Sequence, residues 1–298
     1  MNRLKSQLKV IRWVAEIKDC AAFVFIVPYC DLLVIGTSGG KLKGYMSILH
    51  NSSKLLHLAL SPKKLMCDVR YLFMFSHMRS RSSVLSHILG NNPEICGYKE
   101  LHLSYKSRFS LLRMRAELSC ELDDELSGKY LFDKVLNNYE VSQALVKQAD
   151  PKVIFLLRGP EATVKSIINM GDITGIEWYK DPEKAMNYYC ARLEALEVLA
   201  GMVGECVFID SNDLVDNPEI VLGKLDKWLN LTAPLNKKYS SFSGTGSIGD
   251  GDPSENIKSG VLTRTKEHEG IALPKDILRR GEVAYDHCRQ LLLRKNKF

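Results

Sequence analysis

The stretch His77-Met78-Arg79-Ser80-Arg81-Ser82-Ser83 packs three hydroxyls and two guanidinium groups into seven residues. It directly follows the apolar run Val69 to Ser76 and precedes an apolar helical pattern, Val84 to Leu89. A loop between a buried strand and a helix start offers unpaired backbone N–H groups and the positive end of a helix dipole, which together suit a phosphate-like anion. Ser80, Ser82 and Ser83 would add hydroxyl donors, and Arg79 and Arg81 charge-assisted ones. The plainer reading is a capped helix start with solvent-facing arginines, since serine is also a favoured cap. A nucleoside triphosphatase would need GxxxxGK[ST] here, and the loop has neither glycine nor lysine.

Such a loop needs a sheet behind it. The pattern predicts strands at Val69–Ser76, Lys152–Leu157 and Cys206–Ile209. Helices are expected at Val84–Leu89, Val141–Ala149, Pro160–Met170, Glu183–Val203, Pro218–Leu229 and Pro274–Leu293. Strands alternating with helices imply an α/β fold, a three-layer parallel sheet flanked by helices, with ligands beyond the carboxyl ends of the strands. Ser240 to Asp252 is rich in Gly, Ser and Asp and reads as a long loop. Residues 1–68 form an N-terminal region to which no chemistry is assigned, and 69–298 the main domain.

The 298 residues, 45% apolar and 26% charged, suffice for one large core, and a net charge of +6 spread along the chain fits a phosphate-rich small molecule or an anionic surface. No nucleic-acid partner is expected. The eight cysteines lie singly without a CxxC pair, which suggests free thiols in a reducing, cytoplasmic setting and no zinc site. Ala21 to Gly36 is strongly apolar after a basic start, but Pro28 and Asp31 interrupt it. It is marginal as a spanning helix and reads either as a peripheral membrane contact or as a strand pair.

Met78-Arg79-Ser80-Arg81-Ser82-Ser83-Val84-Leu85 resembles the 5'-phosphosulfate loop of the sulfotransferase family, P-[RK]-[ST]-G-[ST]-[ST]-x-[LW]. Met78 stands for the usual proline and Arg81 for the usual glycine, as in a divergent bacterial-type member. Lys152 to Met170 resembles the family's 3'-phosphate segment, which makes Arg158 and Ser166 its phosphate ligands. Cys206 to Leu231 resembles a structural motif of the family. Asp252 to Gly260 falls where a late loop closes over the 3'-phosphate, with Lys258, Ser259 and Gly260 as candidates.

The resemblance implies a fold like that of P-loop-containing nucleotide hydrolases. It also implies 3'-phosphoadenosine 5'-phosphosulfate as donor, 3'-phosphoadenosine 5'-phosphate as product, no metal, and an acceptor hydroxyl on a glycan, lipid or small molecule. Arg79 would stabilise the leaving phosphate. Glu100, in Gly97-Tyr98-Lys99-Glu100, would be the general base, with His102 as the alternative if the segment is extended. His77 would shape the loop. Asp133 and Lys134 resemble a substrate-side segment of bacterial members, or else form a surface ion pair. The alternative function is a relative that binds the nucleotide without catalysis.

Overall fold

The computed structural model describes residues 12–17, 20–25 and 34–35 as strands, and 53–122, 125–246, 255–264, 268 and 270–298, apart from the side chains at 121, 255 and 256. The chain divides into two units, Met1–His57 and Leu58–Phe298. In the first, β1 (Arg12–Ile17), β2 (Cys20–Phe25) and β3 (Val34–Ile35) pair antiparallel in that order. The apolar run Ala21 to Gly36 thus contains β2 and β3, whereas Pro28 and Asp31 lie outside the described residues. No helix among the described residues is long and apolar enough to cross a membrane.

The second unit starts within the last turn of a helix at 53–59, continues through a short helix, α1 (Pro62–Met66), and then builds a five-stranded parallel sheet. In chain order its elements are β4 (Arg70–Ser76), α2 (Ser82–Gly90), β5 (Ile95–Cys96), α3 (Arg108–Leu122), β6 (Tyr130–Val135), α4 (Gln143–Ala149), β7 (Lys152–Leu157), α5 (Pro160–Thr174), α6 (Pro182–Met202), β8 (Val207–Asp210), α7 (Ser211–Asp216), α8 (Pro218–Leu229) and α9 (Lys275–Lys295). The sheet order is β5-β6-β4-β7-β8, so β4 is central. The chain leaves β4 for the β5 edge, returns through β6 and crosses to β7. That reversal places a ligand crevice beyond the carboxyl end of β4.

Side chains alternate between two cores, as the strand period of two requires. Leu72, Met74, Ile154 and Leu156 pack with α2 and α8, whereas Phe73, Phe75, Val153, Phe155 and Leu157 pack with α3 to α6 and α9. Both faces are covered, which explains why β7 is a continuous apolar run. Helix starts follow local chemistry: Pro160, Pro182 and Pro218 occupy first helical positions, and the Asp181 carboxylate caps α6 by accepting the N–H groups of Glu183 and Lys184. Left-handed residues Gly175 and Asn230 end α5 and α8.

The three expected strands and six expected helices are present, Lys152–Leu157 and Pro218–Leu229 with the expected bounds and the others with shifted ends. The sequence reading did not identify β5, β6 or α3, and Val141 bridges to Tyr105 instead of starting α4. Within the expected loop, 240–246 has no helix or strand, and Ser247 to Asp252 lie outside the described residues, as do Pro253 and Ser254. Cys67, Cys190, Cys206 and Cys288 are free thiols.

Candidate phosphate-binding and transfer site

The loop after β4 is held from beneath. Ser76 donates its hydroxyl to Leu156 O at 2.5 Å and its Oγ lies 2.6 Å from Ser80 Oγ. Ser80 is fully buried, so its hydroxyl ties the loop to β4 and β7. His77 is buried too, with Nδ1 2.8 Å from Met78 O and Nε2 accepting the Arg158 N–H at 3.1 Å. Burial pushes its pKa down to about 3, so the ring is neutral, with the proton on Nδ1 to serve Met78 O.

Two loop residues are left-handed, Arg79 at φ 61° and Arg81 at φ 69°. This conformation costs a residue with a Cβ roughly 1–2 kcal/mol and glycine almost nothing. It accounts for the glycine that the loop pattern carries at the place of Arg81, and alternating backbone conformations of this kind let successive N–H groups converge on an anion. The Arg81 side chain turns to the end of β8, its Nη1 amino group lying 3.1 Å from Ser211 O, 3.1 Å from Ser211 Oγ and 3.0 Å from Asn212 Oδ1. Ser82 is buried at the first turn of α2, and Ser83 Oγ accepts from Lys134 Nζ at 3.3 Å.

The structure gathers Arg79, Arg158 and Ser166 at one place. Arg79 Nε donates to Ser166 Oγ at 2.9 Å, and an Arg158 NH donates to Arg79 O at 3.1 Å. Tyr189 donates to Arg158 O at 2.7 Å, fixing the turn between β7 and α5. Lys258, Ser259 and Gly260 have described partners in another region. They lie at the end of a 3-10 turn, Glu255–Ser259, where Gly260 (φ 68°) accepts the Tyr239 N–H at 2.8 Å and the Lys258 stem covers Gly246. Tyr239 and Phe242 in turn enclose His87 of α2.

Glu100 lies beside the carboxyl end of β6. Its Oε1 accepts the Leu136 N–H and the Asn137 amide, both at 3.1 Å, and its side chain is 12% exposed. His102 has φ 56°, so the segment is not extended as expected, and the ring meets Tyr139 Oη at 2.9 Å with its Nδ1 4.0 Å from Glu100 Oε2.

Asp133 and Lys134 are both 1% exposed, which overturns the surface ion pair. Asp133 accepts the Leu101 N–H at 2.9 Å and the Tyr105 hydroxyl at 2.6 Å, clamping the segment that carries Glu100 onto β6. Burial pushes its carboxyl up to about 7, against the pull of those two hydrogen bonds. Lys134 points to the opposite sheet face, toward Ser83.

Sequence reasoning missed Arg192. This residue, 1% exposed on α6, donates to Ser76 O, Val135 O and Asn138 Oδ1, each at 2.9 Å, and so ties the ends of β4 and β6 together. The available signal was an arginine on the apolar stripe formed by Tyr189, Leu193 and Leu196. Tyr188 and Tyr179 were missed as well. Tyr188 Oη accepts the Met78 N–H at 3.0 Å, and the Tyr179 hydroxyl reaches Met78 Sδ at 3.6 Å. Among the described residues no group of His, Cys, Asp and Glu is placed to hold a metal.

No protein-family model and no curated protein matches the chain. Among solved structures, a sulfotransferase domain from the curacin biosynthetic pathway superposes with a TM-score of 0.52 at 17% identity, covering 74% of this chain and 98% of its own. A sulfotransferase from Mycobacterium tuberculosis H37Rv covers 77% of this chain and 80% of its own, with 12% identity and a TM-score of 0.49. The first of these likenesses shows the fold: the parallel sheet with its flanking helices has the α/β architecture of that sulfotransferase domain.

Proposed function

We propose that the chain is a bacterial-type sulfotransferase that moves the sulfuryl group of 3'-phosphoadenosine 5'-phosphosulfate to an acceptor hydroxyl. The observation that carries this reading is the cluster of Arg79, Arg158 and Ser166 beside a left-handed loop at the carboxyl end of the central strand, on that fold. A donor with a phosphate at each end of its ribose needs two anion sites. The Arg79–Ser83 loop suits the phosphosulfate, and Arg158 with Ser166 suits the 3'-phosphate. Lys258, Ser259 and Gly260 are assigned to the donor's edge.

In the transfer, the acceptor O–H bond breaks as its oxygen bonds to sulfur, and the bond from sulfur to the bridging oxygen opens. The electron pair stays on that oxygen, where the guanidinium of Arg79 and the ammonium of Lys134 offset the growing charge. Glu100 takes the proton on Oε2, since Oε1 is engaged by Leu136 and Asn137. His102 is the alternative base. The catalysis is positional and electrostatic, by analogy with phosphoryl transfer. Peripheral membrane contact through residues 1–68 belongs to the same reading.

Calorimetric titration with 3'-phosphoadenosine 5'-phosphate tests it. Binding is expected, with Arg158→Ala weakening it at least tenfold, in line with roughly 1.5–3 kcal/mol for a hydrogen bond to a charged group. No binding by the wild type, together with no effect of that substitution, removes the donor site. Binding without sulfation of any acceptor would favour the non-catalytic relative.

A further inference from the structure

Both tyrosines that grip Met78 belong to an aromatic group continuing outward from the loop. Trp178 meets Tyr179 edge to face, with ring centroids 4.3 Å apart, and lies 5.9 Å from Tyr188. Tyr179 lies within the electrostatic reach of Arg79, and Tyr188 within that of Glu100. By its bonds to Met78 the group adjoins the loop residue that precedes Arg79, and Tyr188 lies one turn along α6 from Arg192, which holds Val135 O and Asn138 next to the Leu136 and Asn137 groups that bind Glu100.

Its outer side is apolar and open. Ile173, 51% exposed, lies in the last turn of α5, and Ile176 (38%) and Trp178 (37%) lie on the stretch between α5 and α6. The stretch is seated firmly, because a Cβ on Gly171 would come within 2.8 Å of Lys180 Cγ and 3.0 Å of Tyr179 Cβ. The two tyrosine rings offer no hydroxyl to this side, because both hydroxyls turn back to Met78, and the exposed charges of the stretch pair with each other, Glu177 with Lys180 at 2.9 Å.

An acceptor rich in hydroxyls would have to desolvate them against this wall without replacement partners, which costs about 1–3 kcal/mol each. A ring or chain of carbon atoms would cover Trp178 and the two isoleucines and gain from their removal from water. We propose that Trp178, with Ile173 and Ile176, seats the non-reacting body of the acceptor, and that this acceptor is an apolar alcohol or phenol instead of a sugar. The assignment rests on the sulfotransferase reading above and narrows its substrate class.

The test measures sulfation of 2-naphthol, 1-decanol and methyl glucoside by wild type, Trp178→Ala and Trp178→Phe, alongside calorimetric binding of 3'-phosphoadenosine 5'-phosphate. Naphthol and decanol are expected to be sulfated with KM values at least ~10-fold below that of methyl glucoside. Trp178→Ala should raise the naphthol KM by roughly tenfold with a far smaller change in kcat and in product-nucleotide affinity, and Trp178→Phe should recover most of the loss. A preference for methyl glucoside, or an unchanged naphthol KM in Trp178→Ala, overturns the apolar seat while leaving the sulfotransferase reading standing. Absence of both nucleotide binding and sulfation overturns that reading and the seat with it.

Discussion

The carboxyl ends of β4 and β6 lie side by side in the sheet, yet they are assembled on different principles. After β4 the chain itself is continuous, strand, loop and helix in succession with Arg79 to Ser83 in five residues, and distant residues only brace it: Tyr188 at Met78, Arg158 and Ser166 at Arg79, Ser211 at Arg81. After β6 the site is made at a distance. Glu100 is held by Leu136 and Asn137, its chain neighbour Leu101 by Asp133, and the strand end itself by Arg192, across gaps of 32 to 57 residues. The first arrangement presents its groups on one continuous segment, whereas the second needs several buried polar groups from separate segments to be satisfied together.

Substitutions at four positions would break or sharpen this contrast. The largest effect is expected from Glu100→Gln, which keeps the acceptor atom for Leu136 but cannot take a proton. Turnover should fall by about 10²–10⁴, with product-nucleotide affinity nearly unchanged because the donor site is separate. Retained turnover in a steady-state assay would pass the role to His102. Next, Arg192→Met leaves Ser76 O and Val135 O buried without their donor. A stability loss of about 3 kcal/mol is expected in urea denaturation, and a loss below ~0.5 kcal/mol would show that the two strand ends do not depend on each other.

The third is a matter of pH. Asp133 is raised from 3.8 to about 7 in the folded chain. Its contribution is therefore fully present below pH ~4 and is lost as pH rises through about 7. Asp133→Asn, which can still accept from Leu101 and pair with Tyr105, should flatten the stability profile across that window. Identical profiles for the two proteins would show that Asp133 titrates normally. The smallest effect concerns the loop. Arg81→Gly and Arg81→Ala both lose the bonds to Ser211 and Asn212, but only alanine keeps the left-handed strain, so the glycine variant should be more stable by about 1 kcal/mol. Equal melting temperatures would contradict the φ of 69° at this residue.

The same contrast governs what the sequence reveals. β4 and β7 are legible because both faces of a central parallel strand are buried, giving the runs Tyr71 to Phe75 and Val153 to Leu157. β6 belongs to the same sheet but reads poorly, since Asp133 and Lys134 interrupt Tyr130-Leu131-Phe132, and only the fold makes their burial tolerable. The α3 helix carries arginine and glutamate among its apolar residues, and β5 has just two residues, too few for a pattern. Within the site, Arg79 is singled out by its type and its place after a buried strand, whereas Arg158 and Ser166 are picked out only through the resemblance to the family's 3'-phosphate segment. Arg192 and Tyr188 act on backbone atoms, and Tyr179 on the Met78 sulfur, of residues far away in sequence, and no local pattern encodes such contacts.

Arg192 carries one more consequence. Because its guanidinium spans Ser76 O and Val135 O, the end of β4 cannot move away from the end of β6 without stripping a buried cation of its partners. Solvent access to this edge of the sheet is then an all-or-none event that involves both strands and α6 at once. Amide hydrogens near the carboxyl ends of β4 and β6 should exchange with a common opening free energy, as one cooperative unit whose lock is a side chain assigned to neither the donor nor the acceptor.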